Sequence, residues 1–182
     1  MRGQHFFYAV ALAAAVNLTG VPFASAAEGT VQALSSWEAR GQVHATGPNE
    51  AMFVGTLSGV VYVKDEQAAL DIAALDTALI TCPASVLIDA ASGSQRGSAR
   101  CVILTPDGER IYARFECSGQ FTQGCNGDFE ITGGTGDREK MTGGGPIQLK
   151  SAFAQLLMTP GAVVEQSAVG LAVWPKLNYR IP

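Results

Sequence analysis

Imidazole is scarce in this chain: two histidines among 182 residues, with charged side chains at only 15%. His5 lies in the N-terminal segment treated next, which leaves His44. One imidazole cannot build a multi-histidine metal site or a two-histidine proton relay. A Ser/His/Asp centre on His44 would need a nucleophile elbow, and no G-x-S-x-G surrounds any serine. His44 therefore reads as a solvated loop residue. No Gly-Lys-Ser/Thr is present, so a phosphate-binding Walker loop is absent. Lysine and arginine form no cluster, which speaks against nucleic acid and anionic membrane surfaces as partners.

The apolar runs are short as well. The first, Phe6 to Val16, follows a single positive charge at Arg2 and precedes Ala24-Ser25-Ala26. That layout predicts a signal peptide over residues 1–26, cut after Ala26. The run falls short of the roughly 20 residues that cross a bilayer. "AFAQLLMTPGAVV" is short too and is broken by Pro160. The expectation is a single domain over 27–182 with no membrane span, located in the periplasm or secreted. Removing Arg2 turns 12 basic residues into 11 against 16 acidic ones, a net charge of −5.

Four cysteines are present, Cys82, Cys101, Cys117 and Cys125. In an exported protein an even count reads as disulfides. Zinc ligands usually come in pairs with about two to four residues between them, whereas seven separate Cys117 from Cys125, the closest two. No metal and no cofactor are expected.

Period-two alternation between turn signals recurs along the chain, and helical periodicity is rare, so the fold is expected to be all-β. In "RCVILTPDGERIYARFEC" the turn Pro106-Asp107-Gly108-Glu109 joins two strands. Centred there, the hairpin sets Leu104 against Ile111 and Val102 against Ala113, with Phe115 and Cys117 on the same apolar side. Arg110, Tyr112, Arg114 and Glu116 take the other side. In that register Cys101 faces Arg114, opposite in direction to Cys117, which disfavours their direct bond. Two connectivities remain. Cys117–Cys125 with Cys82–Cys101 needs only local pairings and is preferred; Cys82–Cys117 with Cys101–Cys125 is the alternative.

Further strands are expected in "AMFVGTLSGVVYV", "ALITCPASVLIDAA", "GDFEIT", "GPIQLKSAF" and "GLAVWPKLNYRI". In the last, Leu171, Val173, Leu177, Tyr179 and Ile181 share one parity, interrupted by Pro175 as at a bulge or an edge. "KDEQAALDIAAL" reads as a helical turn or loop, and "AQLLMTPGAVVEQS" as a short helix ending before Pro160.

"FEITGGTGDREKMTGGGP" holds six glycines in eighteen residues. A dinucleotide fingerprint would open a helix after Gly136, but Glu139 occupies the third glycine's place and Gly143-Gly144-Gly145-Pro146 breaks any helix there. Gly133, Gly134 and Gly136, then Gly143 and Gly145, suit instead the twisted ends of two antiparallel strands joined by a hairpin. Arg138 and Lys140 are expected at its exposed tip, with little part in folding.

This stretch resembles the hairpin of allene oxide cyclase and dirigent-like barrels and their exported bacterial relatives, through Phe129, Ile131, Gly133, Gly134, Thr135, Gly136, Gly143 and Gly145. Arg138 and Lys140 depart from the pattern, where such families often carry an aromatic and a further glycine. The resemblance covers Phe53 to Lys150 and implies one antiparallel, calycin-type barrel. The cysteine-bearing middle and "GLAVWPKLNYRIP" resemble a class of exported bacterial proteins. No catalytic residue of those families finds a counterpart here, so no activity is carried over.

Four polar residues are the candidates for chemistry. Asp89, inside the apolar run "VLIDAA", either faces water or is paired and shifted in pKa. Tyr112, Arg114 and Glu130 form either an outer charged face or, were that face turned inward, a polar cavity. The barrel is expected to bind an apolar or amphipathic small molecule or an envelope protein. The alternative is a cyclase-like or isomerase-like enzyme working on an apolar substrate in the barrel mouth.

Overall fold

The computed structural model describes residues 26–64, 72, 74–157 and 164–182, with side chains left undescribed from 153 to 166. Residues 1–25, which hold nearly all of the expected signal peptide, and most of "KDEQAALDIAAL" lie outside that set.

Eight strands form one closed antiparallel barrel: β1 (Ala27–Gly47), β2 (Glu50–Val63), β3 (Leu79–Asp89), β4 (Ser94–Leu104), β5 (Arg110–Gln120), β6 (Gly124–Gly134), β7 (Thr142–Leu157) and β8 (Val164–Ile181). Each strand pairs with its chain neighbours, and β1 closes onto β8 from Ala27↔Ile181 to Val43↔Val164. Closure leaves no bare edge, which spares the fold the aggregation hazard of open sheets.

Strict alternation builds the wall. On β5 the side chains of Ile111, Ala113, Phe115 and Cys117 are buried, while Arg110, Tyr112, Arg114 and Glu116 are exposed. The lumen fills with Phe129 and Trp174, which meet edge to face with ring centroids 5.4 Å apart, and with Ile103, Ile131, Ile147 and Leu177. One end is plugged. Ile72, Leu75 and Ala78 from the β2–β3 connection are buried there, as is Met141 before β7.

The β4–β5 register corrects the expected one by a single residue. Ile103 stands opposite Ile111 and Cys101 opposite Ala113, while Val102 and Leu104 point outward. The loop is odd in length because Thr105 belongs to it. Its N–H donates to the Glu109 carbonyl, and Gly108, at φ +88°, donates back to Thr105. A left-handed residue is what such odd loops require, and a one-residue slip exchanges the two faces of a strand. Cys101 is thus an inward residue, and it bonds Cys82 across the β3–β4 ladder with Cα atoms 4.1 Å apart. Cys117 bonds Cys125 across β5 and β6, Cα atoms 5.5 Å apart. The preferred connectivity holds although the face assigned to Cys101 does not.

Parity on β8 needs a second correction. Val31 pairs with Leu177 but Ala33 with Trp174, so β8 carries one extra residue at Pro175-Lys176. This bulge suits a residue without an N–H. Ala172 and Trp174 face inward before it, Leu177 and Tyr179 after it, and Leu171 is exposed. The segment Ala154–Leu157, expected as helix, is β7 backbone paired to Glu165–Ala168.

The glycine-rich stretch connects β6 to β7 through a short 3-10 turn at Gly136–Arg138. Its tip is not loose. Arg138 is 9% exposed, and its guanidinium donates to Asp107 Oδ2 at 2.8 Å and to Glu109, both in the β4–β5 turn. Thr135 adds a second stitch, its N–H donating to the Arg110 carbonyl and its hydroxyl accepting from the Arg110 N–H, 2.9 Å each. The expectation of an exposed Arg138 is therefore overturned; Lys140 is exposed as expected.

Candidate functional site

At the end opposite the plug lie the β1–β2, β3–β4 and β5–β6 turns, and beneath them a cavity of about 80 Å³. Its wall is built from inward positions of successive strands: Ala39 of β1, Phe53 and Leu57 of β2, Val86 and Ile88 of β3, Phe115 of β5 and Leu149 of β7. Phe121, in the β5–β6 turn, and the Cys117–Cys125 disulfide complete it.

Glycine makes room for its aromatic residues. Trp37 stands opposite Gly59 on β2 and Gly170 on β8. A Cβ at Gly170 would come within 2.5 Å of the indole. Likewise a Cβ at Gly41 would meet the Phe53 ring at 2.6 Å. Bare backbone on the flanking strands lets both rings lie flat against the wall, in the manner of aromatic cover over sheet glycines.

Polar groups at this cavity are few and neutral. Gln95 donates through Nε2 to the carbonyls of Gln120, at 3.2 Å, and Gly124, at 3.0 Å, pinning the β5–β6 turn. Ser151 is the other polar side chain on the wall apart from Trp37, since Ser98 turns its hydroxyl outward to Ser85, and no Asp, Glu, Lys, Arg or His is among its described residues.

The four polar candidates lie elsewhere. Asp89 closes the β3–β4 turn: it accepts from the Ser92 hydroxyl at 2.8 Å, the Ala91 N–H at 2.9 Å and the Ser92 N–H at 3.3 Å. These bonds, the Ser92 hydroxyl foremost, hold its carboxyl below the ordinary carboxylate value. Arg114 and Glu130 pair at 2.6 Å on the outer wall, each with half of its side chain exposed. Tyr112 is 38% exposed on the same face. The structure brings Tyr112, Arg114 and Glu130 to one outer surface and sets Asp89 apart from them in its turn.

The outer wall also carries an apolar band. Leu79 stands beside Val60 on one side and Leu104 on the other, and Val102 lies across from Tyr112. Leu79 is 53% exposed and Leu104 40%. Among the described residues no group of His, Cys, Asp and Glu is placed to hold a metal ion, and no helix is long and apolar enough to cross a membrane.

Neither Trp37 nor Phe53 was singled out by sequence reasoning, and both shape the cavity. The signal was available in the alternation Val31, Ala33, Ser35, Trp37, Ala39 along β1. Its small residues and long polar partners hid it. No protein-family model matches the chain, and no curated protein matches it.

Proposed function

We propose that this chain is an exported, non-catalytic barrel that holds a small apolar molecule in the mouth cavity. The observation that carries the reading is the uncharged, aromatic-lined cavity over a barrel filled and plugged at its other end. Such a site gains by removing apolar ligand surface from water and offers few groups for chemistry. The two disulfides fit an oxidising compartment, and with the N-terminal leader they support export to the periplasm or beyond. Kinship with the allene oxide cyclase and dirigent-like barrels belongs to this same reading and rests on the β6–β7 hairpin residues. The cyclase-like alternative draws on carboxylate, guanidinium and phenol groups, and those groups stand on the outer wall, away from the cavity.

Benzene titration followed by the methyl NMR signals of Val86 and Ile88 tests the proposal. Ala84 of β3 also lines the cavity, and saturable shifts that vanish when Ala84→Leu fills it are expected. Shifts untouched by that substitution, or none at all, count against it.

A second reading is favoured by the band around Leu79 and Leu104. A contiguous apolar patch on an outer wall marks contact with another protein, here a component of the cell envelope. Photo-crosslinking from position 79 in envelope extracts, with a discrete product lost in Leu104→Ser, would favour this reading over the first.

A further inference from the structure

Two indole N–H groups inside the barrel have no acceptor among the described residues, those of Trp37 and Trp174. Trp174 is 3% exposed. On the inward face of β1 the order is Ala33, Ser35, Trp37, and the β8 residues beside them are Trp174, Ala172 and Gly170. Ser35 and Ala172 are therefore the small pair set between two indoles. The room they leave is a void of about 20 Å³, lined by both tryptophans and by Ser35. That is enough for one oxygen-sized group, since a single water needs on the order of 10 to 15 Å³. Ser35 already donates its hydroxyl to the Ser36 carbonyl at 2.8 Å. Both indoles border the void, and a buried donor left without an acceptor costs about 1 to 3 kcal/mol.

This void adjoins the mouth cavity. Trp37, Leu57, Phe115 and Leu149 line both. No charged side chain is among the described residues lining either. A carboxylate or ammonium buried there would have no counter-charge, a heavily unfavourable arrangement.

We infer that the site takes a neutral apolar molecule ending in a hydrogen-bond acceptor, such as a ketone, aldehyde or ester carbonyl, with its oxygen in the void between Trp37 and Trp174. The inference rests on the proposed ligand-binding reading of the mouth cavity and adds the chemistry of the ligand's end. The carbonyl oxygen accepts from the two indoles, and the hydrocarbon part lies against Phe53, Val86 and Phe115. A hydrocarbon of equal length would fill the cavity but leave both N–H groups unpaired.

The chain has only two tryptophans, so a ¹⁵N-labelled sample with both disulfides formed gives two indole N–H signals, assigned by the loss of one in Trp37→Phe. The probes are 2-hexanone, hexane and hexanoate at neutral pH. The expected result is that 2-hexanone shifts the mouth methyl signals and moves the indole N–H signals downfield, both saturably. Hexane should shift the methyl signals alone, and hexanoate neither. Trp37→Phe should weaken 2-hexanone about threefold to tenfold more than it changes hexane, the worth of one hydrogen bond. Indole signals that ignore 2-hexanone while the methyl signals respond, or tighter binding of hexanoate, would overturn the inference and leave the cavity reading standing. Mouth methyl signals that respond to none of the three would overturn both. The indole readout on the unsubstituted chain decides the question even if Trp37→Phe does not fold.

Discussion

Arg138 Nη2 lies 2.8 Å from Asp107 Oδ2, so a residue of the β6–β7 connection is bound to the turn between β4 and β5. Glu109 receives the other arm of the same guanidinium. The glycines on either side let the backbone fold back far enough to deliver it: Gly136 sits at φ +55°, and a Cβ there would collide with the Glu109 carboxylate. Bare backbone in this stretch serves a tie between two hairpins.

Replacing Arg138 with alanine should therefore destabilise the barrel by about 2 kcal/mol, because two carboxylates lose charge-assisted bonds to a largely buried partner. Lys140→Ala, at an exposed neighbouring position, should stay within about 0.5 kcal/mol. Urea unfolding of the two variants side by side checks the contrast, and equal midpoints would refute it.

Acid should loosen the same corner. Asp107 is held down from 3.8 to about 2, first by the Thr105 hydroxyl, then by the Glu109 N–H and by Arg138. With its folded value below its unfolded one, the unfolded chain binds the extra proton in between, so stability rises with pH across that window. The contribution is whole above about pH 4 and is lost as pH falls toward 2. Asp107→Asn should flatten this part of the stability–pH curve, measured by urea midpoints at successive pH values.

Much of this corner was visible beforehand. The alternation of β5 named its buried face residue by residue, and the breaks at Gly143 to Pro146 ruled out a helix. Register was not visible, because it turned on whether Thr105 belonged to the loop, which its N–H bond to the Glu109 carbonyl decides. Pro175 announced an irregularity but not which way parity would flip. Arg138 read as a surface charge because its partners lie 29 and 31 residues away, beyond any local pattern. The cavity was hidden for the same reason: Trp37 meets Gly59 and Gly170, and Phe53 meets Gly41, across strand pairs.

Gly136→Val should cost about 1 kcal/mol or more, since a β-branched residue resists a positive φ and the new Cβ would displace Glu109 from Arg138. Combined with Arg138→Ala the loss should be less than additive, because both act on one contact. Additive losses in thermal unfolding would separate the glycine from the ion pair.

Both disulfides should contribute to stability, the wider span more. Chain-entropy arithmetic gives about 3.2 kcal/mol for Cys82–Cys101 and about 2.5 kcal/mol for Cys117–Cys125, from sequence separations of 19 and 8. Alkylation of the unreduced, denatured chain should label no cysteine. Cys117→Ala with Cys125→Ala should in addition weaken apolar probes, since that bridge forms part of the cavity wall.

Native mass spectrometry of the chain recovered from its own source without detergent tests the ligand-binding account most directly. A neutral, apolar adduct released on mild activation is the predicted result, absent from protein carrying Ala84→Leu. A spectrum of bare protein from the unsubstituted chain, or an adduct that survives the filling of the cavity, would contradict it.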